Sequence, residues 1–419
     1  MATQFTCFNE IMKIHSKISG NDVEILSLIH SRVALSRAEL VKLTGLSAGL
    51  ISAIVRRLIT NGLVVESGLE PSKLGRRRVA LKLSPGTSYT IGVEIGTFFL
   101  RVVVNDLAGN VCHKANVRTI LSDGFARVME RCFTLIDEAV SAAGITKDSL
   151  VGIGIAHSGV VDSNRGLVLS FPRPGRMAEW RNVPLRDIVE ERYKVPCIVE
   201  DSVRMAALAE KETGAAGDLS DFVYIRIGMG IGACIFIDGE PYRGAGGSAG
   251  EFGHMTVDEN GPLCFCGNNG CLSALASCSA IIQSVSSALG KGVESRIHEA
   301  AERQLDRIHI EMILQAAIDN DSLAFRVLND AAVHIGVALA DVVNLLNPSV
   351  VIFSGPLFHT QPQFMVDAIQ RIIRQRALEK AANEVRLIVS TLGPDAAALG
   401  AARFAAARSI VKLPTQSTQ

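Results

Sequence analysis

Apolar positions recur with a helical period over residues 23–58 and with the period of strands over residues 89–104, and this change of period divides the chain. Val23, Ile25, Leu26, Leu28 and Ile29 form one apolar side of a first helix. Ser36 and Glu39 have the spacing of a capping box, which opens a second helix that runs to Thr44 and stops at Gly45. Ser47 caps a third helix, in which Leu50, Ile51, Ile54, Val55 and Leu58 are predicted to face inward. Ala48, Gly49, Ser52 and Arg56 are left on the outer side, and Asn61-Gly62 ends the helix. Two short strands, 63–66 and 79–82, flank a loop that carries Lys73, Arg76, Arg77 and Arg78, the pattern of a hairpin with a basic tip. Ahead of all this, residues 1–19 are weakly patterned, with a short helix expected around 8–18.

Ser84-Pro85-Gly86 marks a boundary. Beyond it, residues 89–97 and 100–104 read as strand, glycine turn, strand, followed by a hairpin turn at 105–110. The layout returns about 130 residues later, at 224–232, 233–237 and 238–239, so two lobes built to one plan are expected. Helical segments at 125–143, 185–193, 202–213, 279–289 and 321–346 separate brief β-branched strands at 151–155, 197–199, 350–353 and 385–389. Short apolar strands alternating with helices place the body in the α/β class.

Composition sharpens this picture in two places. A length of 419 residues suggests about two or three domains. The net charge is zero, so any nucleic-acid contact must come from a local patch. Residues 20–82 supply one, with ten Lys or Arg against five Asp or Glu. Two helices joined by a three-residue turn containing Gly45, followed by a basic hairpin, form the pattern of a winged helix-turn-helix for double-stranded DNA. In the DNA-binding set, which Ser47 opens, base choice would fall to Gly49, Ser52 and Arg56, while Arg57, Lys73, Arg76, Arg77 and Arg78 would meet phosphates. Six of the nine cysteines show no paired spacing, which indicates a reducing compartment. With no leader pattern in the first thirty residues and no unbroken apolar run of about eighteen, a cytoplasmic location and no membrane partner are expected.

The remaining cysteines stand together. His254, Cys264, Cys266 and Cys271 lie within a glycine-bearing loop, 250–277, at metal-ligand spacing. Four soft ligands close a tetrahedron around one zinc ion and leave no open position, so the metal is expected to hold a loop and not to do chemistry.

The segments GEPYRGAGGSAGEFGHM, GIGIAHSGVVD at 152–162 and VEDSVRMAALAE at 199–210, with the cysteine loop, resemble the ROK family of repressors, open reading frames and sugar kinases. The resemblance spans residues 88–405 and implies a two-lobed, actin-like or ribonuclease-H-like sugar-kinase fold. The domain plan it implies is an N-terminal segment 1–19, the winged helix 20–84, the ROK body 88–405 and a tail 406–419. A winged helix ahead of the body is the arrangement of the family's repressors. Carried over position by position, it implies that Glu251 and His254 hold sugar hydroxyls and that His254, Cys264, Cys266 and Cys271 hold a structural zinc, one per chain. In the kinases, two loops of the form DxGGT and GTGxG cradle ATP. Here they read Glu94-Ile-Gly96-Thr97-Phe98 and Gly228-Met229-Gly230, with apolar side chains in place of hydroxyls. Counting back from Glu210 puts Ser202 where the kinases' base aspartate stands, with Asp201 and Arg204 at the flanking asparagines; a shift of one residue would instead put Asp201 there. Ser273 replaces a sugar-binding glutamate. The effector set expected is thus Asp201, Ser202, Arg204, Glu251, His254 and Ser273, with Arg204 favouring an anionic sugar derivative. His157 is expected in a loop. The resemblance implies a regulator without catalytic residues, acting as a homodimer or homotetramer and sensing a sugar; the alternative is a sugar kinase with an appended DNA-binding head.

Overall fold

The computed structural model describes residues 20–31, 35–70, 78–171, 177–358 and 363–411. The expected helix at 8–18 and the hairpin tip at 71–77 lie outside the described residues. The chain divides into two units. The first takes in residues up to Phe171, Ala178–Ala206 and everything from Ala397 on; the second is Pro172–Met177 with Ala207–Ala396.

The first unit begins with α1 (Gly20–Ser31), α2 (Arg37–Thr44) and α3 (Ala48–Thr60), followed by the antiparallel strands β1 (Val64–Glu70) and β2 (Arg78–Leu83). The capping box opens α2 as the spacing predicts. The Ser36 backbone N–H donates to Glu39 Oε2 at 2.9 Å and the Glu39 backbone N–H donates to Ser36 Oγ at 3.4 Å. Gly45, at φ 69°, takes the left-handed conformation that ends the helix. Ile25, Leu26, Ile29, Leu40, Ile51, Ile54, Val55, Leu58, Val64 and Leu81 close one small core, and Ile410 enters it from the far end of the chain. Each such aliphatic side chain stabilises the head by roughly 1.5–3 kcal/mol. A buried carboxylate, Asp22, is held by Arg57, 35 residues away in sequence.

Strands β3 (Tyr89–Ile95), β4 (Phe99–Asp106), β5 (Val111–Arg118), β6 (Leu150–His157), the short pair β7 (Val160–Asp162) and β8 (Leu167–Ser170), and β9 (Cys197–Asp201) follow. Five of them form one sheet in the order β5-β4-β3-β6-β9, with the first three antiparallel and the last two joined in parallel. Helix α4 (Phe125–Ala142) packs against β4 and β5 with Val128, Met129, Cys132, Leu135 and Ile136 buried. The C-terminal helix Ala396–Val411 lies on the glycines of β3 and β6. A Cβ on Gly92 would stand 1.8 Å from Ala398 O, and one on Gly154 2.1 Å from Ala401 O. Only glycine on the sheet and alanine on the helix permit so close an approach. This helix runs past residue 405, where the domain plan sets the start of a tail, and buries Ala406 and Ile410.

In the second unit, β10 (Phe222–Ile227), β11 (Ile231–Ile237), β12 (Glu240–Pro241), β13 (Val350–Ser354) and β14 (Arg386–Val389) repeat the plan in the order β12-β11-β10-β13-β14. The helix Ser322–Leu346, capped by Asp321, packs on Gln363–Arg376. No membrane-length apolar run is expected from the sequence, yet this helix is long and apolar enough to cross a bilayer. Arg326, Asp330 and Asp341 interrupt it, and Leu323, Leu328, Ile335, Leu339 and Val343 are spent in the core of the unit.

Candidate functional site

Glycines bring the four metal-ligand residues together. Phe252–His254 forms one 3-10 turn against β11, and a Cβ on Gly253 would stand 2.1 Å from Ile231 O. Gly270, at φ 63°, leaves so little room that a Cβ would overlap Asp258 O. The cysteine turn is closed by Cys264 N–H to Asn268 O at 2.7 Å and Gly267 N–H to Cys264 O at 2.9 Å. One ligand atom from each of His254, Cys264, Cys266 and Cys271 then lies within 4.8 Å of all the others. Cys264 Sγ is 3.7 Å from His254 Nδ1, and Cys266 Sγ is 3.7 Å from Cys271 Sγ. A tetrahedron with metal–sulfur bonds of about 2.3 Å has edges of about 3.8 Å, so the donor set fits a four-coordinate soft cation. The Asn268 backbone N–H helps hold the Cys266 thiol below its usual range, whereas burial pushes Cys271 up to about 12.

The expected effector residues fall in two groups, three in each unit. In the first unit, Asp201 caps the helix that Ser202 opens by accepting from the backbone N–H of Val203 and Arg204, each at 2.9 Å. That helix, the second of the pair α5 (Leu185–Tyr193) and α6 (Ser202–Thr213), thereby draws on a carboxylate that the one-residue shift would make a base. Ser202 Oγ lies 3.3 Å from Ser158 Oγ. Arg204 is buried against Glu200, with Nη1 2.5 Å from Oε1. Its guanidinium is therefore partnered by a carboxylate that the sequence motifs do not single out, and this weakens the case for an anionic effector. In the second unit Glu251 is exposed, His254 is half-buried, and Ser273 Oγ accepts from the Ile231 backbone N–H at 3.2 Å. Ser273 thus secures the strand next to the loop.

The two loops that resemble the kinases' phosphate loops make local hydrogen bonds. In the first, Gly96 N–H donates to Phe99 O at 3.1 Å and Thr119 Oγ1 donates to Gly96 O at 2.8 Å. Glu94 is buried against Arg101 at 3.0 Å, and Phe98 is 47% exposed. In the second, Gly228 N–H donates to Gly230 O at 2.9 Å, Cys278 N–H to Gly228 O at 2.8 Å and Ser279 Oγ to Met229 O at 2.6 Å. Pro356 Cδ would stand 3.9 Å from a Cβ on Gly228.

His157 is not in a loop. It ends β6, fully buried, edge to face with Phe171 at 5.1 Å and tilted against Trp180 at 5.3 Å. Its Nδ1 accepts from Gly159 N–H at 2.8 Å, and burial holds its pKa down at about 3, so the ring is neutral and packs like its aromatic neighbours.

In the head, α2 and α3 turn through 120° across Gly45. Ser47 Oγ accepts from Leu50 N–H at 3.3 Å, and Ser47, Ala48, Gly49 and Leu50 are all exposed. Periodicity predicts Leu50 inside; the buried stripe is instead Ile51, Ile54, Val55 and Leu58, and Leu50 sits on its flank at 40% exposure. Arg56 is exposed, and Ser52 is half-buried with its hydroxyl donated to Ala48 O at 2.8 Å. Arg57 is exposed but tied to Asp22. Lys73, Arg76 and Arg77 lie outside the described residues; Arg78 opens β2 opposite Glu70.

Comparison with known proteins agrees with this layout. The sequence profile of the ROK family matches residues 90–408. A xylose repressor of Caldicellulosiruptor bescii is 31% identical over 386 residues, covering 91% of this chain and 94% of its own. The crystal structure of a ROK family transcriptional regulator, a homologue of the E. coli MLC protein, aligns with TM-score 0.75 at 28% identity over 92% of this chain and 97% of that one. A ROK family glucokinase from Streptomyces griseus, in complex with glucose and AMPPNP, aligns with TM-score 0.68 at 29% identity over 76% of this chain and 99% of its own.

Proposed function

The chain belongs to the ROK family, and from that membership we propose that it is a cytoplasmic, sequence-specific DNA-binding transcriptional regulator, a repressor of carbohydrate-related genes, whose ROK body senses a sugar and does not phosphorylate it. The observation that carries the reading is the head: a helix pair turned through 120° with Ser47, Ala48, Gly49 and Leu50 exposed at the start of α3, set ahead of a ROK body. Such a helix end offers free N–H groups and small side chains to a major groove. A second copy would present a second head, so a homodimer or a tetramer of such pairs reads two half-sites.

Glu251 and His254, both in the second unit, hold hydroxyls of the sugar. His254 Nδ1 faces the cysteines, which leaves Nε2 for a hydroxyl. One zinc ion per chain, bound by His254, Cys264, Cys266 and Cys271, fixes that histidine. Filling all four positions with protein ligands makes the role structural.

Absence of kinase activity is supported by three features. Gly96 N–H and Gly228 N–H are already donated to nearby carbonyls, Phe98 and Met229 bring no hydroxyl, and Ser202 is too weakly basic to take a proton from a sugar unaided. Loss of a general base alone costs about two to four orders of magnitude in rate. With ATP and a panel of hexoses, turnover is expected to match the background, while the sugar that the body senses raises the melting temperature by mass action. ATP-dependent phosphorylation of any of these sugars would promote the kinase reading.

A further inference from the structure

The exposed residues of α3 and its cap are small, polar or basic, with one exception. Ser47, Ala48, Gly49 and Ala53 are exposed and short, a Cβ on Gly49 would have nothing within 4 Å, and Arg56 stands further along. Leu50 alone projects a branched apolar side chain from this surface, at 40% exposure, while Ile51, Ile54, Val55 and Leu58 are at most 1% exposed. Its neighbours three positions away on either side, Ser47 and Ala53, are both small. The occupant of such a surface must therefore bring an apolar group of its own, in a setting suited to a helix N-terminus and to the ten basic against five acidic residues of segment 20–82.

Resting on the DNA-binding reading above, we propose that Leu50 is a specificity-determining residue that reads the C5-methyl group of thymine in the major groove. The thymine methyl is the one apolar group that a base edge presents there. Leucine can neither donate nor accept, so against adenine, guanine or cytosine it would cover a polar edge and leave it unpaired. Against thymine it removes two apolar surfaces from water, and Gly49 and Ala53 allow the helix close enough for contact. Arg56 would read or anchor one turn and a half further on, which gives the helix one apolar and one charged reader.

The experiment uses the full chain to select duplexes from a random pool. The preferred duplex is then remade with deoxyuridine replacing each thymidine in turn, which deletes one methyl and keeps every hydrogen-bonding group. At one base step of each half-site, affinity is expected to fall about fourfold, the worth of one buried methyl. Leu50→Ala should bind the thymidine and deoxyuridine duplexes alike. Leu43→Ala, which removes an equally exposed leucine from α2, should keep the discrimination. Equal binding of every deoxyuridine duplex by the unmodified protein, or undiminished discrimination by Leu50→Ala, would overturn the proposal. A pool that yields no preferred duplex would overturn the DNA-binding reading itself, and this one with it.

Discussion

Replacing Arg76, Arg77 and Arg78 together with alanine is expected to weaken binding to every duplex sequence and to lower the slope of log affinity against log salt by about one for each phosphate no longer neutralised. Between about 50 and 200 mM salt, the affinity of a protein that neutralises several phosphates falls by orders of magnitude, so this is the largest effect expected. Arg56→Ala should behave differently, changing which duplexes are preferred more than the salt slope. Arg57 distinguishes a third case. Its guanidinium holds the fully buried Asp22, so Arg57→Ala removes a charge partner from a buried carboxylate and should cost stability as well as affinity. Titration by fluorescence anisotropy at several salt concentrations separates the three. An unaltered affinity and salt slope in the triple variant would remove the basic wing from the DNA-binding surface.

Loss of the metal should have the next largest effect, and Cys266 is the position that isolates it. Cys264 and Cys271 are buried, so substituting either disturbs packing whatever else it does. Cys266 is exposed and contributes little to a core. If a cation holds the loop, Cys266→Ser should nevertheless lower stability by several kcal/mol, a fraction of the roughly 10–16 kcal/mol with which a structural zinc is held, because metal affinity here is folding free energy. The variant should also retain less than one zinc per chain. Chelation of the unmodified protein should lower its melting temperature to a similar degree. Full zinc content in a Cys264/Cys266 double variant, or none in the unmodified protein, would contradict the assignment.

Much of this is legible along the chain because the signals are local. The capping box runs only from Ser36 to Glu39, and both hairpins with glycine turns need only alternation and a turn. The cysteine loop needs only spacing. What cannot be read depends on partners distant in sequence or on positions at the margin of a pattern. Leu50 lies one helical step from Ile51, on the flank of the buried stripe, where periodicity does not distinguish inside from outside. Asp22 meets Arg57 across 35 positions. Arg204 finds Glu200 across the junction of strand and helix, where neither a strand nor a helix pattern pairs the two. The C-terminal helix is alanine on most sides and carries no stripe; its register is set by Gly92 and Gly154, more than two hundred residues earlier. His157 reads as a loop residue because a histidine beside Ser158 and Gly159 resembles a turn, although its ring belongs to a cluster with Phe171 and Trp180.

If the chain is a sugar-responsive regulator, sugar binding in the ROK body must change DNA binding by the head, and coupling of that kind is a free energy that can be measured. The dissociation constant of the full chain for its selected duplex should be determined with and without a saturating concentration of the sugar that raises its melting temperature. A change of about 5- to 150-fold, equivalent to roughly 1–3 kcal/mol of coupling, is expected. The same sugar's affinity should change by the same factor when duplex is present. A sugar that binds tightly and leaves the dissociation constant for DNA unchanged would contradict the coupling.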